Sequence, residues 1–438
     1  MKIACFTPLP PVKSGISQYS EELLPYLSLR LDVDIFIDDY EPKEGLREML
    51  GIYSYKEFEE RHEKAPYDLC IYQMGNNPYH FYMYPFLLKY PGITVMHDYV
   101  LHHFYSGYYL AKGDKDGYIR EMEYNYGARG REMAERRIAG IWTELQNFIF
   151  PANKRIIDSS VGIIVHNDYS KKMIERSHRD AVVKKIFMGM PAINKPLFSK
   201  AEVKKKLGIP YDSFVVGSFG FVTPIKRLDR VVHAFREFIK EVPCALLLIV
   251  GDVSEHNQGF IELIDQLGLK KYVRITGFVP EEEFNDYILA TDVAVNLRYP
   301  TAGETSASLL RVMGMGVPVM VSNYRQFAEI SDYSCIKISL GKNEVGDLRG
   351  ALVRLASSKT LRKSLGENAR KYVAENCSLE GAAAAYSDFI EDIVRRKVQW
   401  ETVSTLKEEF SAIGITDDNS PACERLKEAV KELAGDDA

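Results

Sequence analysis

Apolar strands alternate with helical segments along this chain, and they do so in two successive sets. In the first half, short apolar runs predict strands at Lys2–Phe6, Val33–Ile37, Leu69–Gln73, Ile93–Met96 and Gly162–Val165. The second half restarts the pattern, with predicted strands at Phe214–Ser218, Ala245–Val250, Val273–Thr276, Val293–Leu297 and Val317–Val321. Strands that alternate with helices form parallel sheets, because a parallel connection needs a crossover. We therefore predict an α/β protein with two Rossmann-like, doubly wound domains that face a cleft.

The domain boundaries follow from length and from local composition. A chain of 438 residues is too long for one core. The Pro- and Gly-bearing segment Met188–Phe198 predicts a linker, which divides the chain into domains at residues 1–190 and 191–380. The charged helical block Gly117–Phe150 exceeds a simple crossover and predicts a helical insertion at about residues 105–150. Residues 381–438 are expected to form C-terminal helices and a tail that pack back on the first domain, with a break at Gly414–Pro421.

Composition excludes several functional classes. The net charge of −5 argues against non-specific nucleic-acid binding. No apolar run approaches the roughly 20 residues that a membrane span needs. The start of the chain predicts a first strand rather than a signal peptide. None of the six cysteines forms a C-x-x-C pair, so we expect reduced thiols, no metal or redox cofactor, and a cytoplasmic protein.

The segment Thr291–Ser322 predicts a phosphate site. It contains a buried strand, a polar glycine-bearing turn, a helix and a second strand. A helix start favours an anion, because its free N–H groups and the helix dipole both point there. The expected ligands are the backbone amides around Thr305 and Ser306. Glu304 lies at the same start, and Arg311 follows seven residues later on the same helix face.

Other strand ends in the second half strengthen the case for a nucleotide. Glycines follow four predicted strands, at Gly220, Gly251, Gly277 and Gly303, and together they indicate a backbone-lined site. Phe278 and Val279 are the expected contacts of a nucleobase. Lys226 and Arg227 stand where a helix starts, an unfavourable place for cations that a bound polyanion would offset. The alternative is a solvated basic pair.

Two strand ends of the first half are further candidates. Gly15 lies in a Pro- and Gly-bearing loop before a helix, where it either lets a ligand approach closely or simply forms a turn. His97 follows a strand directly and is placed to hydrogen-bond a ligand. The alternatives for His97 are a structural role and a zinc site with Asp98, His102 and His103. The last two point to different faces of a helix, which disfavours zinc.

To about residue 395, the chain resembles the retaining, two-domain GT-B glycosyltransferases of the family often called GT4. The resemblance rests on PPVKSGISQYSEEL, the strand-end His97, GSFGFVTPIKRLDRVVHAF, LLIVGD, VRITGFVP and the segment Thr291–Ser322. It implies a first domain on the acceptor side and a second domain that binds the nucleotide-sugar donor. It also implies that Gly15, Gly220, Lys226, Thr305 and Ser306 line the donor diphosphate, and that His97 positions the sugar or the acceptor.

The chain departs from the family pattern at three positions. Phe221 occupies the place of a diphosphate-binding Arg, and Arg227 is the expected compensating cation. Gly303 stands where the first of two glutamates is usual, with Glu304 one residue later as its substitute. Arg311 stands where the second glutamate holds the ribose, although an Arg cannot accept hydrogen bonds from hydroxyls.

The resemblance implies a hexosyltransferase that moves a sugar from a nucleotide-diphosphate sugar, without a metal cofactor, to a glycan or lipid-linked acceptor. The expected catalytic residues are His97, Lys226 and Glu304, and the nucleobase and ribose would meet Gly251, Phe278, Val279 and Arg311. Peripheral contact with the inner face of a membrane is compatible with such an acceptor. Two alternatives remain open, a catalytically inactive donor-binding accessory subunit and a nucleotide-sugar epimerase of the same fold.

Overall fold

Two parallel sheets organise the molecule. The computed structural model describes residues 1–192, 198–253, 258–412 and 425. The strands of the first sheet are β1 (Lys2–Phe6), β2 (Asp32–Ile37), β3 (Gly51–Ser54), β4 (Leu69–Met74), β5 (Ile93–Met96), β6 (Gly162–Val165) and β7 (Val183–Lys185). The strands of the second are β8 (Phe214–Phe219), β9 (Ala245–Val250), β10 (Val273–Ile275), β11 (Val293–Asn296), β12 (Val319–Ser322) and β13 (Ile336–Ile338).

Both sheets have the same doubly wound strand order. The first runs β3-β2-β1-β4-β5-β6-β7 and the second β10-β9-β8-β11-β12-β13. The order in which strands are added to the sheet therefore reverses between β1 and β4 in the first sheet, and between β8 and β11 in the second. Ligands of such sheets bind beyond the carboxyl ends of the strands at this reversal. The predicted α/β class and the two-domain architecture are confirmed.

Helices cover both faces of each sheet. Those of the first domain are α1 (Gly15–Ser28), α2 (Leu46–Met49), α3 (Phe58–Lys64), α4 (Tyr84–Lys89), α5 (His102–Tyr105), α6 (Lys115–Tyr126), α7 (Ala128–Ile138), α8 (Leu145–Ile149), α9 (Lys154–Asp158) and α10 (Asp168–Ser177). The later helices are α11 (Lys200–Lys206), α12 (Leu228–Phe238), α13 (Gln258–Gln266), α14 (Glu281–Ala290), α15 (Ala307–Gly314), α16 (Glu344–Ser357), α17 (Lys359–Asn376) and α18 (Leu379–Ala412).

The helical insertion differs from the single block expected at Gly117–Phe150. It comprises α6, α7 and α8, which are preceded by a π-helical turn at Ser106–Leu110. Gly127, with φ +62°, separates α6 from α7, and Gly140, with φ +82°, follows α7. A glycine tolerates such left-handed angles without strain, so these two residues end the helical runs.

The C-terminal helix crosses back to the first domain. The hydroxyl of Tyr19 on α1 donates to that of Tyr386 on α18 at 3.3 Å. A Cβ at Gly162 on β6 would lie 3.0 Å from Ile393, so α18 packs closely against the first sheet. Residues 193–197 of the expected linker and the break at Gly414–Pro421 lie outside the described residues. Within the described part of the chain, no helix combines the length and the apolarity that a membrane span requires.

Candidate active site

The reversal point of the second sheet holds a cradle for an anion. Gly220 follows β8 in a left-handed conformation, with φ +86°. A Cβ built there would lie 2.9 Å from Lys226 Nζ and 3.8 Å from Ser308 Oγ. The 3-10 turn that carries Lys226 and the first turn of α15 therefore meet at Gly220. Ser306 caps α15 by accepting a hydrogen bond from Leu309 N at 3.3 Å. The backbone of Ser306 and Thr305 thus lies at a helix start, as expected for anion binding.

Lys226 is a buried cation without an acidic partner. Its side-chain ammonium donates to the carbonyl of Phe219 at 2.7 Å, and the residue is only 7% exposed. Burial, followed by the nearby charge of Arg298, lowers the pKa of Lys226 well below its ordinary value. No ion pair within the described residues involves Lys226. A bound anion would restore the charged form, so the position suits a phosphate.

Arg298 supplies the second cation, which sequence reasoning missed. It lies two residues beyond β11 and is 7% exposed. Its Nε lies 3.4 Å from Glu304 Oε1, and its charge reaches Lys226. The other oxygen of Glu304 accepts from Thr301 Oγ1 at 2.6 Å and from Ala302 N at 2.9 Å. Glu304 therefore folds back into its own loop and orients Arg298. The signal was available in the sequence, because Arg298 directly follows the predicted strand Val293–Leu297.

The structure pairs Arg227 with Glu344, so the assignment of Arg227 to the diphosphate stays a prediction. Its guanidinium Nε donates to Glu344 Oε1 at 2.6 Å, and its NH2 contacts the other carboxylate oxygen. Glu344 is 1% exposed at the start of α16. This bidentate pair satisfies both groups, so Arg227 joins two elements of the second domain. Phe221, at the family's Arg position, is 50% exposed beside the cradle.

The loop that carries Glu304 is held by the first domain. Val100 N donates to the carbonyl of Ala302 at 2.9 Å, and the side-chain amide of Asn167 donates to that of Gly303 at 2.8 Å. Gly303 has φ +85°, and a Cβ there would lie 2.7 Å from Tyr99 Cβ. A glutamate at position 303 would collide with the first domain. This close approach explains why the acidic residue stands one position later.

Asp98 places a carboxyl group at the carboxyl end of β5. One oxygen accepts a hydrogen bond from Asn76 N at 2.9 Å. Burial and the neighbouring charge of Glu304 raise the pKa of Asp98 to about 7. The structure therefore brings a carboxyl group of each domain close together, and the sequence predicted a catalytic role only for that of Glu304. A group with such a pKa can hold or release a proton near neutral pH.

Two histidines directly follow neighbouring strands of the first sheet, His97 after β5 and His166 after β6. His97 Nε2 donates to the amide oxygen of Gln73 at 2.7 Å, and His166 Nδ1 donates to the carbonyl of Ile186 at 2.9 Å. Their rings are 4.9 Å apart between centroids. Burial, followed by the charges of His166 and His80, lowers the pKa of His97, and burial lowers that of His166 to about 4. His97 Nδ1 and His166 Nε2 are buried nitrogens that have no hydrogen-bond partner within the described residues.

The other predicted donor contacts lie along the same edge. Gly15 begins α1, and the site of its absent Cβ is open. The ammonium of Lys13, two residues before Gly15, lies 4.8 Å from the ring centroid of Phe278. This contact joins the first domain to the second across the cleft. A Cβ at Gly251 would lie 2.4 Å from the carbonyl oxygen of Gly220, so these two strand-end loops pack directly. Val279 follows Phe278 and is partly buried.

Arg311 links three elements. Its NH1 donates to Glu281 Oε1 on α14 at 2.6 Å, and its NH2 donates to Glu22 Oε1 on α1 at 3.0 Å. Glu22 belongs to the first domain, so this ion pair crosses the domain interface. With 9% exposure, Arg311 is buried between its two partners. The structure gives it a role in joining the domains, and its guanidinium offers no acceptor for a ribose hydroxyl.

The alternative of a zinc site finds no support in the geometry. His102 Nδ1 donates to the carbonyl of Phe150 at 2.8 Å, and its Nε2 accepts from Tyr118 at 2.6 Å. His103 instead contacts Asn76 at 3.0 Å. Across residues 1–192, 198–253 and 258–412, no three His, Cys, Asp or Glu side chains are grouped so that they could hold a metal ion.

Part of the chain is similar in sequence to a known protein family. Residues 199–372 match the sequence model of the family described as Glycosyl transferases group 1. Alpha-monoglucosyldiacylglycerol synthase from Acholeplasma laidlawii is 26% identical over 192 residues, which cover 43% of this chain and 47% of that protein. N-acetyl-alpha-D-glucosaminyl L-malate synthase from Bacillus anthracis is 25% identical over 202 residues, which cover 44% and 49%. The chain thus spans about half the length of the curated relatives it matches.

Solved structures share the whole architecture. HepE from Anabaena, in complex with UDP, has a TM-score of 0.65 and 15% identity, and covers 90% of this chain and 100% of that one. Sucrose-phosphate synthase from Thermosynechococcus elongatus has a TM-score of 0.64 and 17% identity, and covers 90% and 99%. Residues 199–372 thus resemble the glycosyl transferases group 1 family, and the two facing parallel-sheet domains of the chain have the GT-B fold.

Proposed function

We propose that the chain is a glycosyltransferase that moves a sugar from a nucleotide-diphosphate sugar to a glycan or lipid-linked acceptor. The observation that carries this proposal is the cradle at Gly220, where two buried cations and a helix start converge. Breaking the bond between the sugar and the phosphate leaves extra negative charge on the diphosphate, and preorganised donors stabilise that charge. Lys226 and Arg298 are such donors, together with the backbone amides of Thr305 and Ser306.

The first domain closes the site from the opposite side. Gly15 would line the diphosphate, while His97 would position the transferred sugar or the acceptor. Phe278, Val279 and Gly251 would contact the nucleobase. The interdomain bonds to Ala302 and Gly303 hold the donor loop in this closed arrangement, which excludes water and limits hydrolysis. HepE, a structural neighbour solved with UDP and with UDP-glucose, supports a nucleotide-sugar donor.

The reaction is proposed to retain the anomeric configuration and to need no metal ion. The bond between the anomeric carbon and the phosphate oxygen breaks, and the acceptor oxygen bonds to the same face of that carbon. The acceptor proton passes to the departing phosphate oxygen. The protein acts through charge stabilisation and positioning, and Glu304 contributes by orienting Arg298. A cytoplasmic protein with peripheral membrane contact would be compatible with a lipid-linked acceptor.

A thermal-shift screen with UDP-, GDP-, ADP- and dTDP-sugars tests the donor. A ligand that binds only the folded state raises the midpoint of unfolding. We expect one nucleotide class to do so, and we expect Lys226→Ala to abolish the shift. Lys205→Ala is the matched control, because Lys205 is exposed on α11, which carries none of the residues placed at the cradle. Donor turnover that is unchanged in Lys226→Ala would contradict the assignment of the phosphate site.

Product analysis separates this function from its rivals. Proton NMR of the product reports the anomeric configuration, and a retained configuration is the expected result. Phe221 and Arg311, which replace an Arg and a Glu of the resembling family, favour an accessory subunit as the second candidate. A nucleotide sugar that binds in calorimetry without transfer or hydrolysis would support that candidate. Release of a 2-epimerised sugar would identify an epimerase.

A further inference from the structure

A polar shelf on the helical insertion leads away from Asp98. We define this insertion shelf by His103 on α5, Arg137 on α7, and Trp142 and Glu144 in the loop before α8. Asn76 connects it to the candidate active site. Its backbone N–H donates to Asp98 at 2.9 Å, and its side-chain amide lies 3.0 Å from His103 Nδ1. The shelf is therefore joined to Asp98 through a single residue.

The shelf is held rigidly from below. Asn147 is fully buried, and its side-chain oxygen accepts from Arg137 NH1 at 2.6 Å. Its amide nitrogen lies 3.1 Å from His103 Nε2 and donates to Glu144 Oε1 at 3.1 Å. Asn147 thus fixes the side chains of Arg137, His103 and Glu144, which are exposed or half-exposed. A site that is ordered before its ligand arrives loses less entropy on binding.

The groups that the shelf presents match a sugar ring. Trp142 is 42% exposed, and the guanidinium of Arg137 lies 4.0 Å from its ring centroid, which fixes the ring plane. Glu144 is 62% exposed in its side chain, and both of its bonds within the described residues use Oε1. Its second oxygen can accept from vicinal hydroxyls, while the indole packs against the apolar C–H face of a ring.

We propose that the insertion shelf binds a sugar residue of the acceptor, so that the next hydroxyl reaches Asp98. This inference rests on the proposed function and names the acceptor class as carbohydrate-bearing. Exposed Ile141, Leu145 and Ile149 near the shelf suggest a lipid surface as a competing occupant. The hydrogen-bonded continuity with Asp98 favours the sugar, because a bilayer would gain nothing from the ordered Glu144 and His103.

Tryptophan fluorescence tests the proposal directly. The chain has two tryptophans, so a Trp400→Phe background leaves Trp142 as the only one. The full-length variant is titrated with the methyl glycosides of glucose, galactose, mannose and N-acetylglucosamine. Concentrations up to about 0.1 M cover millimolar and weaker dissociation constants. At least one sugar should change the emission saturably. Removing the carboxylate in Glu144→Gln should weaken that binding about tenfold.

A matched variant and a lipid arm complete the design. Glu132→Gln alters a carboxylate of similar exposure on α7, which pairs with Arg136 at 2.7 Å, and should leave sugar binding unchanged. The proposal is overturned if no sugar gives a saturable change, or if Glu144→Gln binds as well as its parent. A response to phosphatidylglycerol vesicles alone also overturns it. The donor thermal shift on the same protein shows whether the proposed function fails as well.

Discussion

The side-chain amide of Asn167 in the first domain donates a hydrogen bond of 2.8 Å to the carbonyl of Gly303 in the second. The side-chain oxygen of the same residue caps α10 by accepting from Ser170 N at 2.8 Å. Asn167 therefore stabilises a helix with one atom and joins the domains with another. The loop that carries Glu304 takes its position from a residue more than a hundred positions earlier in the chain.

Asn167→Asp separates these two roles. A carboxylate still caps the helix but cannot donate to Gly303, so the unfolding midpoint should change little. The loop that carries Glu304 then loses one hydrogen bond, and the carbonyl of Gly303 faces the negative charge of the new carboxylate. We expect the dissociation constant for the donor to rise about tenfold, as a lost buried hydrogen bond would predict. Isothermal calorimetry measures it, and Asn77→Asp, which keeps the cap of another turn, is the control. Equal donor affinity in both variants would contradict the coupling.

Gly303→Ala tests the close approach between the domains. Gly45 shares its left-handed angle, with φ +84°, but has no atom near the site of a Cβ. Gly45→Ala should cost about 1 kcal/mol of unfolding free energy through backbone strain alone. Gly303→Ala adds contact with Tyr99, so it should lose more stability and also donor affinity. Urea unfolding and calorimetry on both variants make the comparison. A Gly303→Glu variant that binds donor better than the parent would refute the steric explanation.

The sheets and their reversal points could be predicted from sequence because they depend on local patterns. Apolar runs and glycine punctuation mark β1, β5 and β9 with the bounds that the structure shows. The short edge strands β3, β7 and β13 were missed, since each has few apolar residues. The sequence does not reveal that Arg227 pairs with Glu344 and that Arg298 lies near Lys226, because Glu344 lies on a helix much later in the chain. No pattern near Gly303 reveals that Tyr99 of the other domain fills the space beside it.

Replacing Arg227 or Lys226 by a neutral side chain should change the unfolding free energy in opposite directions. Arg227→Met leaves the buried carboxylate of Glu344 unpaired and should cost about 3 kcal/mol of unfolding free energy. Lys226→Met removes a buried cation that has no acidic partner, so the ligand-free protein should unfold at an equal or higher urea concentration. The same variant should show no thermal shift with the donor. If Lys226→Met proves the less stable of the two, the electrostatic description of the cradle is wrong.

Asp98 predicts a specific dependence of stability on pH. Its pKa is raised from the usual value of an unfolded chain, about 4, to about 7 in the folded protein. Between these values the folded state binds the proton and the unfolded state does not. The contribution of Asp98 is therefore fully present below pH 4 and is lost as the pH rises through 7, by at most about 1.4 kcal/mol per pH unit. Asp98→Asn should remove this dependence.

Urea unfolding of the parent and of Asp98→Asn at several pH values between 5 and 8 measures the difference directly. The depressed pKa values of His97 and His166 act in the opposite direction, but they are present in both proteins and cancel in the comparison. A difference in unfolding free energy that stays constant across this range would show that Asp98 has an ordinary pKa.

Arg311 offers a test of how the interdomain ion cluster is balanced. Burial raises the pKa of Glu22 to about 7, while Arg311 opposes this shift and Glu281 adds to it. Arg311→Met removes the cation, and Arg311→Glu also adds a third carboxylate between Glu22 and Glu281. Carboxylates that repel one another are stable together only when protonated, so their cost increases with pH. We expect Arg311→Glu to be less stable than Arg311→Met by about 2 kcal/mol at pH 8, and by clearly less at pH 5.5.

Guanidinium chloride unfolding at both pH values measures this difference between the two variants, and the added salt screens only the exposed part of the repulsion. If the gap between the two variants does not change with pH, the three carboxylates are too far apart to interact, and the ion pair with Glu22 does not hold the domains together in solution.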